Sequence, residues 1–285
     1  MCDQDHSLED IKRWESEGLV TRKQFGAMLG LGAFAFLPAV ANAVTVTESE
    51  VTIKTPDGTC DAYFVHPASG NAPGVLVWPD IFGLRPAFKT MGKRLAESGY
   101  SVLVVNPFYR LQKAPTAPQG AASPIQPLVS MMNSLTPAIQ KTDATAFIAW
   151  LDQQQSVAKN KKIGTQGYCM GGPIAFRTAA ASDRVGAVGS FHGANLVVAN
   201  DPNSPNTMAA KTKAQYLVAI AQNDDTSKPN DKTVLKETFA AAKMTAEVEV
   251  YPAQHGWCAI DSNVYNMEQA EKAWGKLLDM YKKAL

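Results

Sequence analysis

The stretch "IGTQGYCMGG", Ile163 to Gly172, follows an apolar strand-like run and leads straight into "PIAFRTAAA", which has helical character. It sets Cys169 between Gly167 and Gly171 where a strand must turn into a helix with no intervening loop. A G-x-nucleophile-x-G turn needs small flanking residues, because the chain reverses sharply and the helix packs close to the strand. Such a turn exposes the central side chain and places it at a helix N-terminus, where the dipole favours an anion such as a thiolate. Cysteine alone is more often a buried structural residue. The glycines in this context favour a nucleophile.

Outward from this turn the chain alternates strands and helices. "GVLVW", "SVLVV", "KIGTQGY", "VGAVGSF", "YLVAIA" and "AEVEVY" read as strands, the first two as short, continuously apolar ones of the doubly buried type. Between them lie "RPAFKTMGKRLAESGY", "AIQKTDATAFIAWLDQQ" and "TVLKETFAAAKM", which read as helices, and a C-terminal amphipathic helix with Ala270, Trp274, Leu277 and Tyr281 on one stripe. Ahead of them, "TVTESEVTIKT" and "CDAYFVHP" alternate on either side of the turn Pro56-Asp57-Gly58 and predict an antiparallel hairpin. Residues 112–136, rich in Pro, Gln, Ser and Ala, read as a loop or lid. This pattern predicts an α/β fold, a mostly parallel sheet with helices on both faces, whose reactive groups gather at the carboxyl ends of the strands.

Composition narrows the function. The chain has 285 residues, 46% of them hydrophobic, with a net charge of +1. No basic run marks a nucleic-acid surface. Four cysteines and four histidines show no spacing that would hold a metal. The N-terminal "VTRKQFGAMLGLGAFAFLPAVANAV" joins the basic pair Arg22-Lys23 to a modest apolar run and ends in Ala41-Asn42-Ala43, a small-x-small cleavage signal. Residues 1–43 are therefore expected to be an export signal, by the twin-arginine or the general secretory route, with the domain at 44–285. The apolar run is about a dozen residues, short of the roughly 20 a membrane span needs, so no stable span is expected in the mature chain. The expected location is the periplasm or outside the cell, or the cytoplasm if the segment is not a signal. In an oxidising compartment the three cysteines left could form at most one bridge, with Cys60 and Cys258 as possible partners.

Two more strand ends carry chemistry. Asp224 and Asp225 follow "YLVAI", and His255 follows "VEVY" in "YPAQHGW". The order nucleophile, acid, histidine is that of the α/β-hydrolase plan. His192 in "SFHGAN" also follows a strand and is the rival acid–base group, or a pocket residue.

Together, "GVLVWPDIFGL", "GYCMGG", "AQNDD" and "VYPAQHGW" make the chain resemble the dienelactone hydrolase (carboxymethylenebutenolidase) family of α/β hydrolases, over roughly 51–285. The resemblance implies a Cys169–His255–Asp224 triad, with Asp225 the alternative acid. Asp224 matches the family's G-x-x-D spacing, with Ala221 where the glycine stands. It implies an oxyanion hole from the backbone amides of Met170 and Ile81, an acid at Asp80 that controls the thiol, and hydrolysis of small esters or lactones by a monomer without metal or organic cofactor. Asp80 replaces the family's glutamate. Arg110 lies near one family position for gripping a substrate carboxylate, while Ala259 occupies the other. Tyr109 and Trp257 read equally as pocket walls or as ordinary core aromatics. Two other readings remain: an exported binding protein on the same scaffold, and a thiol-based redox protein.

Overall fold

The computed structural model describes residues 37–285; most of the expected export signal, residues 1–36, lies outside the described residues. Eight strands form one sheet in the order β1-β2-β4-β3-β5-β6-β7-β8. β1 (Val46–Thr55) and β2 (Gly58–Pro67) pair antiparallel across the Pro56-Asp57 turn, and β2 pairs antiparallel with β4 (Ser101–Val105). From there every pairing is parallel: β4 with β3 (Gly74–Trp78), then β5 (Ile163–Tyr168), β6 (Val185–Phe191), β7 (Gln215–Ala221) and β8 (Ala246–Tyr251). The chain thus has the α/β-hydrolase fold that its strand–helix alternation and elbow motif imply.

The central strands β3, β4, β5 and β6 are buried along their whole length, which is why none of them alternates apolar and polar residues: β3 and β4 are almost wholly apolar, and β5 and β6 add glycines and the buried polar residues Thr165, Gln166 and Ser190. Two apolar layers result. One face packs against α1 (Pro86–Glu97) and α8 (Met267–Ala284), around Phe88, Val102, Leu277 and Tyr281. The other packs against α3 (Pro137–Leu151) and α4 (Gly171–Ala181), around Phe147, Ile174 and Phe176. Helix α8 starts at an Asn266 side chain that accepts from the Gln269 amide, a cap of the expected kind. Of the expected stripe on α8, Leu277 and Tyr281 are fully buried, whereas Trp274 is half-buried and lies 4.5 Å beneath the Arg94 guanidinium.

Cys60 sits in the α3/α4 layer and Cys258 in the α1/α8 layer, on opposite faces of the sheet, and both are free thiols. This excludes the bridge the sequence left open between them. The 112–136 segment contains a 3₁₀ turn at Gly120–Ala122 and a helix, α2 (Gln126–Asn133), anchored by buried Leu128. Three further helices complete the connections: α5 (Pro205–Ala209), α6 (Gln222–Ser227) and α7 (Asp231–Ala241). No helix among the described residues is long and apolar enough to cross a membrane.

Packing at two glycines predicts opposite responses to the same change. A Cβ on Gly171 would meet the Trp78 carbonyl oxygen at 2.4 Å, whereas one on Gly275, exposed in α8, meets nothing within 4 Å. In urea titrations, Gly275→Ala is expected to stabilise the protein by up to about 1 kcal/mol, and Gly171→Ala to destabilise it by about 2 kcal/mol or more.

Candidate active site

Residue Cys169 joins β5 to α4 with φ = +52°, a left-handed conformation that costs a non-glycine residue about 1 kcal/mol or more and is held only where its surroundings dictate it. Those surroundings are specific. The Cys169 amide donates to Phe191 O (3.1 Å), and its carbonyl accepts from Gly172 (3.1 Å) and Ala194 (3.3 Å). A Cβ on Gly167 would stand 1.9 Å from the Gly171 carbonyl oxygen, so only glycine lets the helix begin this close to the strand. The side chain is partly exposed, unlike the buried Cys60 and Cys258.

The acid and the histidine come from the ends of β7 and β8. Asp224 lies on α6, which continues directly from β7 and turns what the sequence presents as a loop into one and a half helical turns. Its Oδ2 lies 2.7 Å from His255 Nδ1. The neighbouring Asn223 accepts from the His255 backbone amide (2.8 Å) and fixes the loop that follows β8; that pairing leaves no sequence signal, because an asparagine beside two aspartates reads as turn chemistry. Asp225 points elsewhere and pairs with Lys232 at 2.7 Å. The geometry therefore puts Asp224, not Asp225, on the imidazole.

His255 has a pKa pushed up to about 10: burial opposes its charge, but the hydrogen bond to Asp224, and then its interaction with the Cys169 sulfur, outweigh that. His192 behaves oppositely. It is 1% exposed, neither ring nitrogen has a partner, and its ring packs edge-on to His255 at 4.9 Å. Burial first, and then the charge on His255, push its pKa well below the usual histidine value, so it stays neutral. Among the described residues no carboxylate orients it.

Met170 is the first residue of the turn into α4, and Ile81 lies in the tight turn Asp80–Gly83 that follows β3, whose end abuts the same helix: a Cβ on Gly171 would stand 2.8 Å from the Pro79 carbonyl oxygen. Among the described residues, neither backbone N–H donates to a protein acceptor. A cavity of about 190 Å³ opens beside the acid, with Leu196, Ile220 and Leu235 as its apolar wall and Asp224, Asp225 and Lys228 as its polar one.

Four expected site residues are otherwise engaged. Both Asp80 oxygens are held by Arg85, at 2.6 and 2.9 Å, and Oδ1 also accepts from the Phe82 amide. Arg110 is held by Asp143 at 2.6 and 2.7 Å and by Asp57 at 2.7 Å, which takes up the edge a substrate carboxylate would need. Tyr109 is buried with its hydroxyl on Asp143 and Thr55, and Trp257 is fully buried, stacked on Tyr251 at 4.8 Å. These two aromatics are core residues, not pocket walls. No group of three or more His, Cys, Asp or Glu among the described residues is arranged to hold a metal ion.

The raised histidine has a direct consequence. Because its folded pKa exceeds the usual 6.5, the stabilisation from its charge is fully present below about pH 6.5 and is lost as pH rises through about 10. In an NMR titration, His255 is expected to keep its proton past pH 8 in the wild type and to lose it at clearly lower pH in Asp224→Asn. A histidine titrating near 6.5 in both proteins would show that Asp224 does not bear on it.

Comparison with known proteins agrees with this architecture. The dienelactone hydrolase family matches residues 60–285. A Methylorubrum extorquens protein named "Putative carboxymethylenebutenolidase" is 30% identical over 262 residues, covering 88% of each chain. A Yersinia pestis protein of the same name is 28% identical over 244 residues, covering 81% of this chain and 86% of its own. The crystal structure titled as a putative dienelactone hydrolase from Klebsiella pneumoniae superposes with a TM-score of 0.74 at 24% identity, covering 84% of this chain and 99% of that one. A strained cysteine elbow at the end of β5, a carboxylate-bound histidine at the end of β8 and a family match over both place this chain in the dienelactone hydrolase family, as an ester or lactone hydrolase.

Proposed function

We propose that the protein hydrolyses small, uncharged esters or lactones through a Cys169–His255–Asp224 triad and a thioester acyl-enzyme. The observation that carries this is the 2.7 Å Asp224–His255 contact beside a cysteine held at positive φ. A histidine raised to about 10 is basic enough to hold a proton at neutral pH. In this mechanism His255, oriented by Asp224, receives the Cys169 proton as the sulfur attacks the substrate carbonyl. The developing oxyanion is taken by the Met170 and Ile81 amides, which have no other acceptor. The imidazolium then protonates the departing alkoxide, and the neutral imidazole left behind activates the water that cleaves the thioester. Asp224 holds the ring in one tautomer and offsets its charge, as the acid of a triad does.

The preference for uncharged substrates rests on the committed cations. Arg110 and Arg85 are saturated by carboxylates, and position 259, the family's second anchor, is alanine. To be gripped by either arginine, an anionic substrate would have to displace Asp143 or Asp80.

One assay tests both parts. With a neutral aryl ester, Cys169→Ala and His255→Ala are each expected to lower kcat/KM by roughly a thousandfold or more, Asp224→Asn by roughly a hundredfold, and Asp225→Asn by less than about threefold. A larger loss in Asp225→Asn would overturn the acid assignment; full activity in Cys169→Ala would overturn the triad. With the wild type, a neutral lactone should match or exceed its carboxylate-bearing analogue. A hundredfold preference for the anion, about 2.7 kcal/mol, would contradict the substrate assignment.

We also propose, from Arg22-Lys23, the apolar run and Ala41-Asn42-Ala43, that the chain is exported and cleaved. Intact mass of the protein from its host should then begin near Val44, and a full-length cytoplasmic species would refute this.

A further inference from the structure

Three segments are tied to one another by hydrogen bonds: the turn 79–85 that carries Ile81, the segment 112–123, and the loop 256–266 that follows His255. A single side chain joins them. Arg85 is 2% exposed and uses all its N–H groups. Its Nη1 donates to Asp80 Oδ1 (2.6 Å) and to the Gly83 carbonyl (3.2 Å), and Nη2 donates to Asp80 Oδ2 (2.9 Å) and Asp261 Oδ1 (2.8 Å). Nε donates to Asp261 Oδ2 at 2.6 Å. The guanidinium also lies against the Phe82 and Phe88 rings, at 5.4 and 4.9 Å.

Each carboxylate passes the connection on to a backbone amide. Asp80 Oδ1 accepts from the Phe82 amide at 3.0 Å, closing the turn in which Ile81 sits. Asp261 Oδ2 accepts from the Ala121 amide at 3.3 Å, in the 3₁₀ turn of the 112–136 segment. A second tie runs beside the first: Thr116 Oγ1 donates to the Phe82 carbonyl at 3.1 Å. It fits because residue 83 is glycine, where a Cβ would stand 2.4 Å from that hydroxyl.

We propose that Arg85 is a positioning residue that couples the oxyanion turn to the 112–123 segment, so that the Ile81 amide is aimed at the substrate only while that segment is seated. This rests on the triad assignment for its catalytic consequence, but not for the physical coupling. The fork geometry of the guanidinium is essential to it, since a lysine in the same place would keep the charge and contact one carboxylate at a time. The same fork withdraws Asp80 from the thiol, so the residue that the family resemblance casts as thiol control acts here through the oxyanion turn.

The test uses the full chain and three variants: Asp261→Asn, Arg85→Lys and Arg85→Gln. Hydrogen–deuterium exchange of peptides covering 112–123 is expected to speed up roughly tenfold in each, with peptides of β5 and β6 unchanged. For a neutral aryl ester, kcat should fall roughly tenfold to a hundredfold, the scale of a small misplacement of a reacting group, with KM within about threefold. Alkylation of Cys169 by iodoacetamide should keep its wild-type rate, because the nucleophile is not what moves. Wild-type exchange and kcat in Asp261→Asn would overturn the coupling, as would full recovery of both in Arg85→Lys. A fall in kcat with wild-type exchange in 112–123 would also overturn it. If Arg85→Gln fails to fold, Asp261→Asn decides, because it removes one charge and keeps the shape. If the wild type proves to hydrolyse no ester, the exchange measurements alone decide the coupling and the triad assignment fails separately.

Discussion

The contact on which the site depends is between backbones. At the elbow, the first turn of α4 lies so close to the end of β5 and to the Trp78 carbonyl that neither Gly167 nor Gly171 tolerates a single added carbon. That proximity holds Cys169 at positive φ, raises its side chain out of the sheet and leaves the Met170 amide at the head of a helix. Close-packed interiors do not deform continuously, so the strain at residue 169 is maintained by its neighbours rather than relaxed. The other components assemble around that fixed point. β3 delivers Ile81 from one side, and the parallel strands β7 and β8 deliver Asp224 and His255 from the other, in the topology that collects strand ends along one edge of the sheet.

What was legible in the sequence is local or ordered along the chain. The elbow declares itself within a few residues, the hairpin within one turn, and the candidate acid and histidine by their order after the cysteine, at the ends of β7 and β8. The 224/225 ambiguity was not resolvable there, because adjacent aspartates on a short helix point in different directions and only the partners, His255 and Lys232, tell them apart. Long-range pairing was equally silent. Arg85 and Asp261 are 176 residues apart, and Arg110 looks available for a substrate until Asp143, on α3, is found against it. Aromatic residues near the site motifs were ambiguous for a related reason: Trp257 follows His255 by two positions, yet the turn at Gly256 (φ = +103°) sends it back into the core against Tyr251.

Electrostatically the site is polarised by two histidines in contact. Asp224 and the Cys169 sulfur favour charge on His255, while burial and that same charge keep His192 neutral. Groups with pKa values pushed apart mark acid–base assignments, and here the division is sharp: one imidazole carries the proton and the other forms its wall. The buried ion pairs around the site, Asp80–Arg85–Asp261 and Asp143–Arg110, serve geometry more than stability, since such pairs gain little over well-packed apolar residues yet are costly to break singly.

The central claim is that Cys169 is acylated during turnover. The most direct measurement is rapid quench of the enzyme with a slowly deacylated aryl ester, followed by peptide mapping by mass spectrometry. The account predicts that the acyl mass appears on the peptide containing Cys169, that it accumulates with a burst of released phenol, and that hydroxylamine removes it as expected of a thioester. Turnover without any adduct at Cys169, or an adduct on another residue that persists in Cys169→Ala, would contradict it.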